Sequence, residues 1–297
     1  MAMTMTEFLT LADADLDKIW HEDELPYEEQ YSKVFNIVNQ ADLYKKDAKM
    51  TGFGPSVTIP EGGDVTYDTA IAPVTRRYDL IKRGNGYKIT DKLWKFDRYG
   101  EVKKFEADLR RADADDSEVY FFGLINSPTS TTITGFDSLA LASTSHTRLD
   151  GGTVQGNYPS SPAALSLTAL EDAVVAFTKF KDDRGRPYRS TPKTLLIPLD
   201  SVLTAEEILN STMNPTTANN ATNAVRMFNL TPLAVPYITS STFWMLLGDK
   251  HDLNALWNQR PAQDSEIDFD SDTIKRKVTK WLSRGFGEWR GTYIGHV

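Results

Sequence analysis

Hydrophobic and polar residues follow two contrasting patterns in adjoining stretches of the chain, and the second pattern predicts one long helix. From Asp97 to Asn126, apolar residues recur at spacings of three, four and seven, which places them on one stripe: Val102, Phe105, Leu109, Ala112 and Val119. Pro128 supplies the stop signal. Such a helix would be about 45 Å long at 1.5 Å per residue, which is unusual beside a typical helix of about three turns.

The preceding stretch, from Val65 to Thr90, is rich in β-forming residues and predicts a two-stranded ribbon. Gly62-Gly63 turns the chain before it, and Arg83-Gly84-Asn85-Gly86 contains the Asn-Gly pair that is a strong hairpin signal. The ribbon has too few large apolar residues to build a core, and a two-stranded ribbon alone is marginal in water. We therefore expect it to lie on another surface, which we take to be a neighbouring subunit.

The rest of the pattern predicts helices and strands in mixed order. An apolar stripe after Pro26 predicts a helix that ends near Met50, and a stripe from Leu165 to Phe180 predicts another that begins near Ser166 or Thr168. Thr204-Ala-Glu-Glu207 fits a capping box that opens a helix to Ser211. Strands are predicted at Leu195–Leu199, at Leu230–Ile238 paired with Phe243–Gly248, and at Ile274–Ser283 paired with Gly287–Ile294.

Length and composition limit the class of protein. The chain has 297 residues and 40% hydrophobic content, enough for one large or two ordinary domains with a real core. It contains no cysteine, which excludes disulfides and thiolate ligands and suits a reducing compartment. The N-terminus lacks a basic signal-peptide region, and no run of about 18 apolar residues occurs. We therefore expect a protein that is neither secreted nor membrane-spanning.

The formal net charge of −8 is carried entirely by the N-terminal stretch. Up to Tyr31 the chain has nine acids and one base, Lys18, so the remaining 266 residues sum to zero. From Arg76 to Arg111, by contrast, twelve bases and six acids give +6. Such runs are commonly solvated faces, but complementary patches also steer association between subunits. The candidate inter-subunit residues are Asp13, Asp15, Asp17, Glu22, Asp23 and Glu24 on the acidic side, and Arg76, Arg77, Lys82, Arg83, Lys88, Arg110 and Arg111 on the basic side.

Candidate chemistry is sparse. His146 follows Ser145, but adjacent side chains on an extended segment point apart, so they cannot form a nucleophile and base pair. The other histidines lack metal-ligand spacing, and no phosphate-binding or dinucleotide-binding loop with the required spacing is present. Asp113, Asp115 and Asp116 are interpreted as a solvated face of the long helix. The sequence therefore predicts no catalytic, cofactor or metal site.

The order of these parts resembles the major capsid proteins of tailed phages with the Hong Kong 97 (HK97) fold, and is most similar to the Mu-like major head subunit group. Four stretches carry the resemblance: Leu139-Ala-Leu-Ala-Ser-Thr-Ser-His146, Leu195-Leu-Ile-Pro-Leu199, Trp257-Asn-Gln-Arg-Pro261 and Arg284-Gly-Phe-Gly-Glu-Trp-Arg-Gly291. The resemblance covers most of the chain. It implies an α+β fold with an N-terminal arm, an extended β-hairpin loop, a peripheral domain with a long spine helix, and an α/β axial domain.

The resemblance also implies domain boundaries. The N-terminal arm and its helix would occupy residues 1–50, the extended loop 51–91, and the peripheral domain with the spine helix 92–159. The axial domain would occupy residues 160–260, and the C-terminal strands at 261–297 would return to the peripheral domain. Some relatives join their subunits through a lysine-asparagine isopeptide bond, but no residue pattern here identifies the asparagine and the catalytic glutamate of such a pair.

The function implied is that of a non-enzymatic shell subunit without cofactors. It would assemble with itself into hexamers and pentamers of an icosahedral shell in the host cytoplasm and remain in the virion, in non-specific contact with packaged double-stranded DNA. Scaffolding, portal and decoration proteins would be further partners, and no membrane would be involved. The alternatives are a shell of the same fold that encloses protein cargo and a cytosolic hydrolase that uses His146.

Overall fold

A computed structural model describes residues 28–90, 92–93, 96, 101–213, 222–268, 270 and 273–297, apart from the side chains of residues 101–103. The acidic residues between Asp13 and Glu24, which were predicted to lie between subunits, are outside these ranges. The chain divides into two compact units. The first comprises Met1–Tyr44, Asp79–Phe121 and Ala255–Ser283, and the second comprises Lys45–Tyr78, Phe122–Asn254 and Arg284–Val297.

The described residues form a mixture of helices and strands. The strands are β1 (Asn36–Asn39), β2 (Tyr44–Lys49), β3 (Val74–Asp79), β4 (Ile81–Thr90), β5 (Pro192–Ile197), β6 (Thr231–Ala234), β7 (Trp244–Gly248), β8 (Leu253–Asp268), β9 (Thr273–Phe286) and β10 (Thr292–His296). The helices are α1 (Tyr31–Val34), α2 (Glu101–Phe122), α3 (Leu167–Thr178) and α4 (Val202–Asn210). Short 3-10 turns lie at Leu199–Ser201 and Ala224–Phe228. In the part of the chain that the structure describes, no helix has the length and apolar character to cross a bilayer.

The first unit contains a four-stranded sheet in the order β1-β8-β9-β4. Its edge strand β4 pairs antiparallel with β9 from Ile81 opposite Leu282 to Thr90 opposite Thr273. The hairpin turn predicted at Arg83-Gly84-Asn85-Gly86 is therefore wrong, because these residues lie in the middle of a continuous strand. The glycines serve close packing: a Cβ on Gly84 would lie 2.6 Å from the Val278 carbonyl oxygen, and one on Gly86 would lie 2.4 Å from that of Arg276.

The long helix predicted from the apolar pattern is confirmed as α2, but the predicted buried face is wrong. Of the predicted stripe, Leu109 is buried, whereas Phe105 and Val119 are 39% and 58% exposed and Ala112 is also exposed. The buried face is mainly polar and consists of Glu106, Leu109, Asp113, Ser117, Glu118 and Phe121. These residues also recur at helical spacing, so periodicity alone could not choose between the two faces.

Buried charges of opposite sign join α2 to β9, and we call this contact the charged seam: Glu106, Asp113 and Asp116 on the helix with Arg276 and Lys280 on the strand. Lys280 is fully buried, and its Nζ lies 3.0 Å from Asp113 Oδ1, 3.1 Å from Asp116 Oδ2 and 2.7 Å from Ser117 Oγ. Arg276 Nε lies 3.2 Å from Oε2 of Glu106, which is also fully buried. The interpretation of Asp113 as a solvated residue is therefore wrong.

The seam shifts the pKa values of Asp113 and Asp116 in opposite directions. Burial raises the pKa of Asp113, and the ammonium group of Lys280 opposes that rise. At Asp116 burial also acts to raise the pKa, but hydrogen bonds from Arg83 and Lys280 hold it below its usual value. Removing one partner of such a buried pair leaves an uncompensated charge, which is far more costly than the loss of an exposed pair.

The start of the described chain packs in the first unit, but the long helix predicted up to Met50 is wrong. Only Tyr31–Val34 is helical, and β1 and β2 follow. Tyr31, Val34 and Phe35 are buried, and the Tyr31 ring stacks on Phe121 with centroids 4.7 Å apart. Their spacing therefore reflects burial against α2, while Gln40 N–H donates to the Trp257 carbonyl (2.8 Å) next to β8.

The second unit is built on a four-stranded sheet in the order β10-β7-β5-β6. The predicted strand near Leu195 is confirmed as β5, but β6 pairs with β5 in parallel rather than with β7. The last strand pair is also wrong, because β10 pairs with β7 while β9 lies in the other sheet. Helix α3 covers the sheet with an apolar face, and its core includes Leu170, Val174, Phe177, Leu195, Leu246 and Trp289.

Two helix N-caps were predicted in the second unit, and one of them is confirmed. Ser166 is the N-cap of α3, and its hydroxyl accepts the Ala169 N–H at 3.2 Å, as predicted. The capping box at Thr204 is wrong, because α4 begins at Val202 and the N-cap Ser201 makes no side-chain cap bond. A 3-10 turn at Leu199–Ser201 leads directly into α4, so this helix starts without the predicted cap.

We predict that Lys280→Ala lowers the free energy of unfolding by about 3 to 5 kcal/mol, because Asp113 would remain buried without its cation. Lys277→Ala is the matched control, since Lys277 lies three residues away in β9 and pairs with Asp264 on the exposed surface. Chemical denaturation of both variants and the parent measures the difference. Equal unfolding free energies for the two variants would contradict a structural role for the charged seam.

Candidate inter-subunit surface

The second unit carries a long segment without regular secondary structure between β2 and β3, which we call the extended segment (residues 50–73). Strands β2 and β3 pair with each other at its base. At its tip the Gly63 N–H donates to the Pro60 carbonyl at 2.9 Å, and Gly62 has a φ of 77°. The predicted turn at Gly62-Gly63 is confirmed, and it is this turn, rather than Asn85-Gly86, that reverses the chain.

The extended segment exposes large apolar side chains. Tyr67 is 90% exposed and Val57 is 68% exposed. The exposed apolar residues of the segment are Met50, Phe53, Val57, Ile59, Val65 and Tyr67. A concentration of large apolar side chains on an exposed surface marks a site of interaction with another molecule.

Side-chain bonds hold the two limbs of the segment together near its base. Ile71 N–H donates to Thr51 Oγ1 at 3.3 Å, and Gly54 N–H donates to Asp68 Oδ2 at 2.6 Å. The bond from Gly54 lowers the pKa of Asp68, which is consistent with a stable ionised acceptor. Farther towards the tip, residues 55–67 remain exposed.

The structure places the predicted basic residues in different environments. Arg83 forms a two-pronged contact with Asp116 and lies 5.4 Å from the centroid of the Tyr120 ring. In the second unit, Arg76 Nη1 donates to Thr134 Oγ1 at 3.0 Å, and Arg77 is exposed. Arg110 lines a cleft beside α2, and Arg111 lies on the exposed face of that helix, 3.9 Å from Asp108.

Strand β4 brings two of the predicted lysines onto one face of the sheet in the first unit. Arg83 and Tyr87 contact α2 through Asp116 and Glu106, so the alternating residues Lys82 and Lys88 face the opposite side.

On the paired strand, Lys275 is opposite Lys88 and Lys277 is opposite Gly86. We call Lys82, Lys88, Lys275 and Lys277 the basic sheet face. The two lysines of β9 were not predicted, although their two-residue alternation with the buried Ile274, Arg276 and Val278 is visible in the sequence.

A cleft of about 190 Å³ in the first unit lies between α2 and the start of β8. On its wall the Glu118 carboxylate accepts the backbone N–H groups of Gln30 (2.7 Å) and Tyr31 (3.0 Å). Arg260 Nη1 donates to Tyr31 Oη at 2.7 Å and its guanidinium lies 4.5 Å from the Trp257 ring centroid. Burial raises the pKa of Glu118 to about 7 in spite of the two N–H bonds. Glu118 thus fixes the chain where it leaves the acidic N-terminal stretch.

His146, the residue of the hydrolase alternative, is fully buried in the second unit. Its Nδ1 lies 2.5 Å from Asp137 Oδ2, and its Nε2 lies 3.0 Å from Asn157 Oδ1. The ring also stacks on Trp289 with centroids 4.2 Å apart. With both nitrogens engaged and no exposed surface, the imidazole joins three loops and is not presented to a substrate.

Ser145 contacts Ser143 rather than His146 in the described part of the chain, since its backbone N–H donates to Ser143 Oγ at 3.2 Å. Asp137 and Asn157 lie 9 and 11 residues from His146 in the sequence. They were not predicted as its partners, because the irregular chain between them has no periodic pattern that indicates the contacts. Of the residues that the structure describes, none forms a group of three or more His, Asp and Glu side chains able to hold a metal ion.

Comparisons with known proteins show the family of the chain. The model of a family described as "Phage capsid protein" matches residues 73–295. No curated protein matches the chain in sequence.

Solved structures from a GTA particle and from phages are similar in fold at low sequence identity. The capsid of a native GTA particle is 12% identical, with a TM-score of 0.58 and coverage of 92% of this chain and 91% of that chain. The decorated capsid of bacteriophage JBD30 is 12% identical, with a TM-score of 0.58 and coverage of 80% and 100%. A chain of Mycobacterium phage Che8 is 8% identical, with a TM-score of 0.56 and coverage of 92% of each chain.

We predict that Glu118→Gln removes part of the pH dependence of stability in the mildly acidic range. The pKa of Glu118 is ordinarily 4.5 and is raised to about 7 in the folded state. Between these pH values the folded state therefore keeps a proton that the unfolded state has lost. The parent should therefore lose stability as the pH rises through this window, whereas the variant should lose less. Unfolding free energies at about pH 5, 6, 7 and 8 measure the effect, with the exposed Glu207→Gln as control. Identical profiles for Glu118→Gln and the parent would contradict the prediction.

Proposed function

The chain belongs to the phage capsid protein family and is a major capsid shell protein with an α+β, HK97-type fold, and we propose that it assembles into hexamers and pentamers of an icosahedral shell around double-stranded DNA. The observation that supports assembly through a defined contact is the extended segment. It presents its apolar side chains to solvent in a single subunit, and a second copy of the chain is the partner that a shell supplies.

The hydrophobic free energy available from the exposed side chains of the extended segment supports this contact. Burying one large apolar side chain contributes about 1.5 to 3 kcal/mol before the costs of association are subtracted. Tyr67, Val57 and Val65 are more than half exposed in the subunit. Their burial on a neighbour would therefore contribute hydrophobic free energy to association at every copy of the interface. The conformational entropy that is lost when the interface becomes ordered opposes association. This loss is smaller for a segment that is already held at its base.

Charge complementarity supports a particular counter-surface for the extended segment. The extended segment contains Glu61, Asp64 and Asp68 and no lysine or arginine. The basic sheet face of the first unit carries four lysines, two of which also pair with acids of β8: Lys275 with Asp268 and Lys277 with Asp264. We propose that the extended segment of one subunit lies on the basic sheet face of an adjacent subunit. Exposed charges at this surface steer association more than they add affinity, and salt screens them.

The acidic N-terminal stretch is proposed to act in the same way, on exposed bases that include two lysines of the basic sheet face. Its residues Asp13, Asp15, Asp17, Glu22, Asp23 and Glu24 lie outside the described residues. Fully extended, residues 1–31 could span about 100 Å at 3.3 Å per residue, far enough to reach an adjacent subunit. Arg77, Lys82, Lys88 and Arg111 are exposed in the structure and are the bases best placed to attract it.

We also propose that the chain belongs to the Mu-like major head subunit group, has the domain boundaries given above and has no enzymatic activity. It would assemble in the host cytoplasm and contact scaffolding, portal and decoration proteins. Electron microscopy of the purified protein tests assembly itself, with closed shells or capsomers as the expected result. Nuclease-protected DNA in shells purified from infected cells is expected for a capsid, whereas protein cargo without DNA would favour the encapsulating alternative.

We predict that Val57→Ser combined with Tyr67→Ser reduces shell yield at least severalfold and leaves the unfolding midpoint of the isolated subunit unchanged, because both side chains are exposed. Val154→Ser is the control, since Val154 is a similarly exposed apolar residue of the second unit, outside the extended segment. Sedimentation of assembly reactions and thermal unfolding measure the two effects. A shell yield equal to that of the parent would show that these side chains of the extended segment do not contribute to the interface.

We predict that replacing the six N-terminal acids by Asn or Gln slows assembly at low salt and has little effect at high salt, because salt screens exposed charges over about 8 Å at physiological ionic strength. Individual exposed pairs are worth only about 0 to 1 kcal/mol, so the acids must act together. Light-scattering kinetics measure the rate. Equal rates for variant and parent at low salt would exclude the electrostatic role of the arm.

A further inference from the structure

The turn between α3 and β5 in the second unit (residues 181–187) has a fixed geometry. Asp182 Oδ1 accepts the backbone N–H groups of Arg184 and Arg186, both at 2.9 Å. Gly185 adopts a φ of 79°, a conformation that favours glycine. Burial acts to raise the pKa of Asp182, but the N–H bonds of Arg186 and Arg184 hold it below its usual value. The turn is therefore a defined platform from which the Arg184 side chain extends.

Arg184 binds both limbs of the extended segment. Its Nε donates to the Gly52 carbonyl at 2.9 Å and its Nη2 donates to the Thr69 carbonyl at 2.6 Å. Its Nη1 also lies 3.7 Å from Asp68 Oδ1. The side chain is only 15% exposed. A planar guanidinium can serve two separated acceptors in this way, whereas a lysine ammonium is a single point of charge on a flexible stem.

The other cross-links of the segment have a different effect. The bonds from Ile71 to Thr51 and from Gly54 to Asp68 join limb to limb, so they maintain the hairpin shape without fixing its direction. Arg184 instead joins both limbs to a separate part of the same unit. The same turn also holds the end of β2, because Asp183 Oδ2 lies 2.6 Å from Lys49 Nζ. Asp183 is itself held by Arg290 at 3.0 Å.

We propose that Arg184 is the positioning residue that sets the direction in which the extended segment leaves its subunit, and that it thereby prepares the segment for assembly. The inference rests on the proposed function, in which this segment contacts an adjacent subunit. A segment held in its bound direction loses less conformational freedom when it docks, which strengthens association without adding a contact to the interface. Arg184 therefore acts on assembly without touching the neighbour.

The expected effect of Arg184→Ala is a roughly tenfold higher protein concentration at the onset of assembly, the factor that corresponds to about 1.4 kcal/mol per subunit. Arg184→Lys should fall between this variant and the parent, because an ammonium can retain one of the two carbonyl bonds. Lys181→Ala is the matched control, since it removes the same charge from an exposed side chain of the same turn. It should assemble as the parent does.

A direct measurement of the segment's position separates this role from general destabilisation. The chain contains no cysteine, so Thr58→Cys and Ser161→Cys, both at exposed positions of the second unit, can be spin-labelled as a pair. Pulsed electron paramagnetic resonance on unassembled subunits should give a narrow distance distribution in the parent and in Lys181→Ala. The distribution should be broad in Arg184→Ala, with an unfolding midpoint close to that of the parent.

Two outcomes would overturn the inference. An unchanged distance distribution in Arg184→Ala would show that the residue does not position the segment. A broadened distribution with parent-like assembly would show that positioning does not matter, even while Val57→Ser with Tyr67→Ser still reduces shell yield. If that double variant assembles like the parent, the proposed contact fails instead. Should Arg184→Ala not fold, Arg184→Lys provides the same comparison with the charge retained.

Discussion

The first unit depends on the neutralisation of charges that its fold takes out of water. Lys280 and Glu106 are fully buried, and Asp113 and Arg276 nearly so. The cost of removing such an ion from water is several kcal/mol even after relaxation, so each must meet a partner of opposite sign at hydrogen-bond distance. Sliding α2 along β9 by one turn would separate these partners. The charged seam thus fixes the register of the long helix on the sheet, and strand β4, the cleft beside Glu118 and the basic sheet face follow from that register.

Local signals in the sequence were sufficient for elements whose determinants are local. The long helix α2, the buried strand β5, the Ser166 cap and the turn at Gly62-Gly63 were predicted from periodicity, apolar runs and turn chemistry. Elements that depend on distant residues were not. The Asn85-Gly86 pair has the composition of a hairpin turn, yet β9 approaches so closely that glycine is required in the middle of a strand.

The face of α2 was misjudged for the same reason. A helix stripe with Glu106 and Asp113 is buried only because Arg276 and Lys280 arrive from a strand more than 160 residues later in the chain. Pairing of the strands around β5 was likewise set by topology that no short-range pattern encodes. For the candidate surface, the sequence predicted a protruding ribbon with adjacent lysines. The limbs of the extended segment, their bonds to Arg184 and the lysines of β9 became apparent only from the structure.

The two units contribute different properties to one shell protein. The second unit has an apolar core of ordinary character and holds the extended segment by polar bonds at its base. The first unit presents a sheet with one face covered by α2 and a basic opposite face. Solved GTA and phage chains share this fold at 8 to 12% identity, so individual contacts such as the charged seam and the Arg184 bonds have to be established for this chain itself.

Cryo-electron microscopy of shells assembled from the purified protein would show directly where the extended segment lies. We expect closed shells in which the extended segment of one subunit lies on the neighbour's basic sheet face, with Tyr67 and Val57 buried near Lys82 and Lys88. Shells in which the extended segment folds back onto its own subunit, or in which the basic sheet face contacts no neighbour, would contradict this expectation.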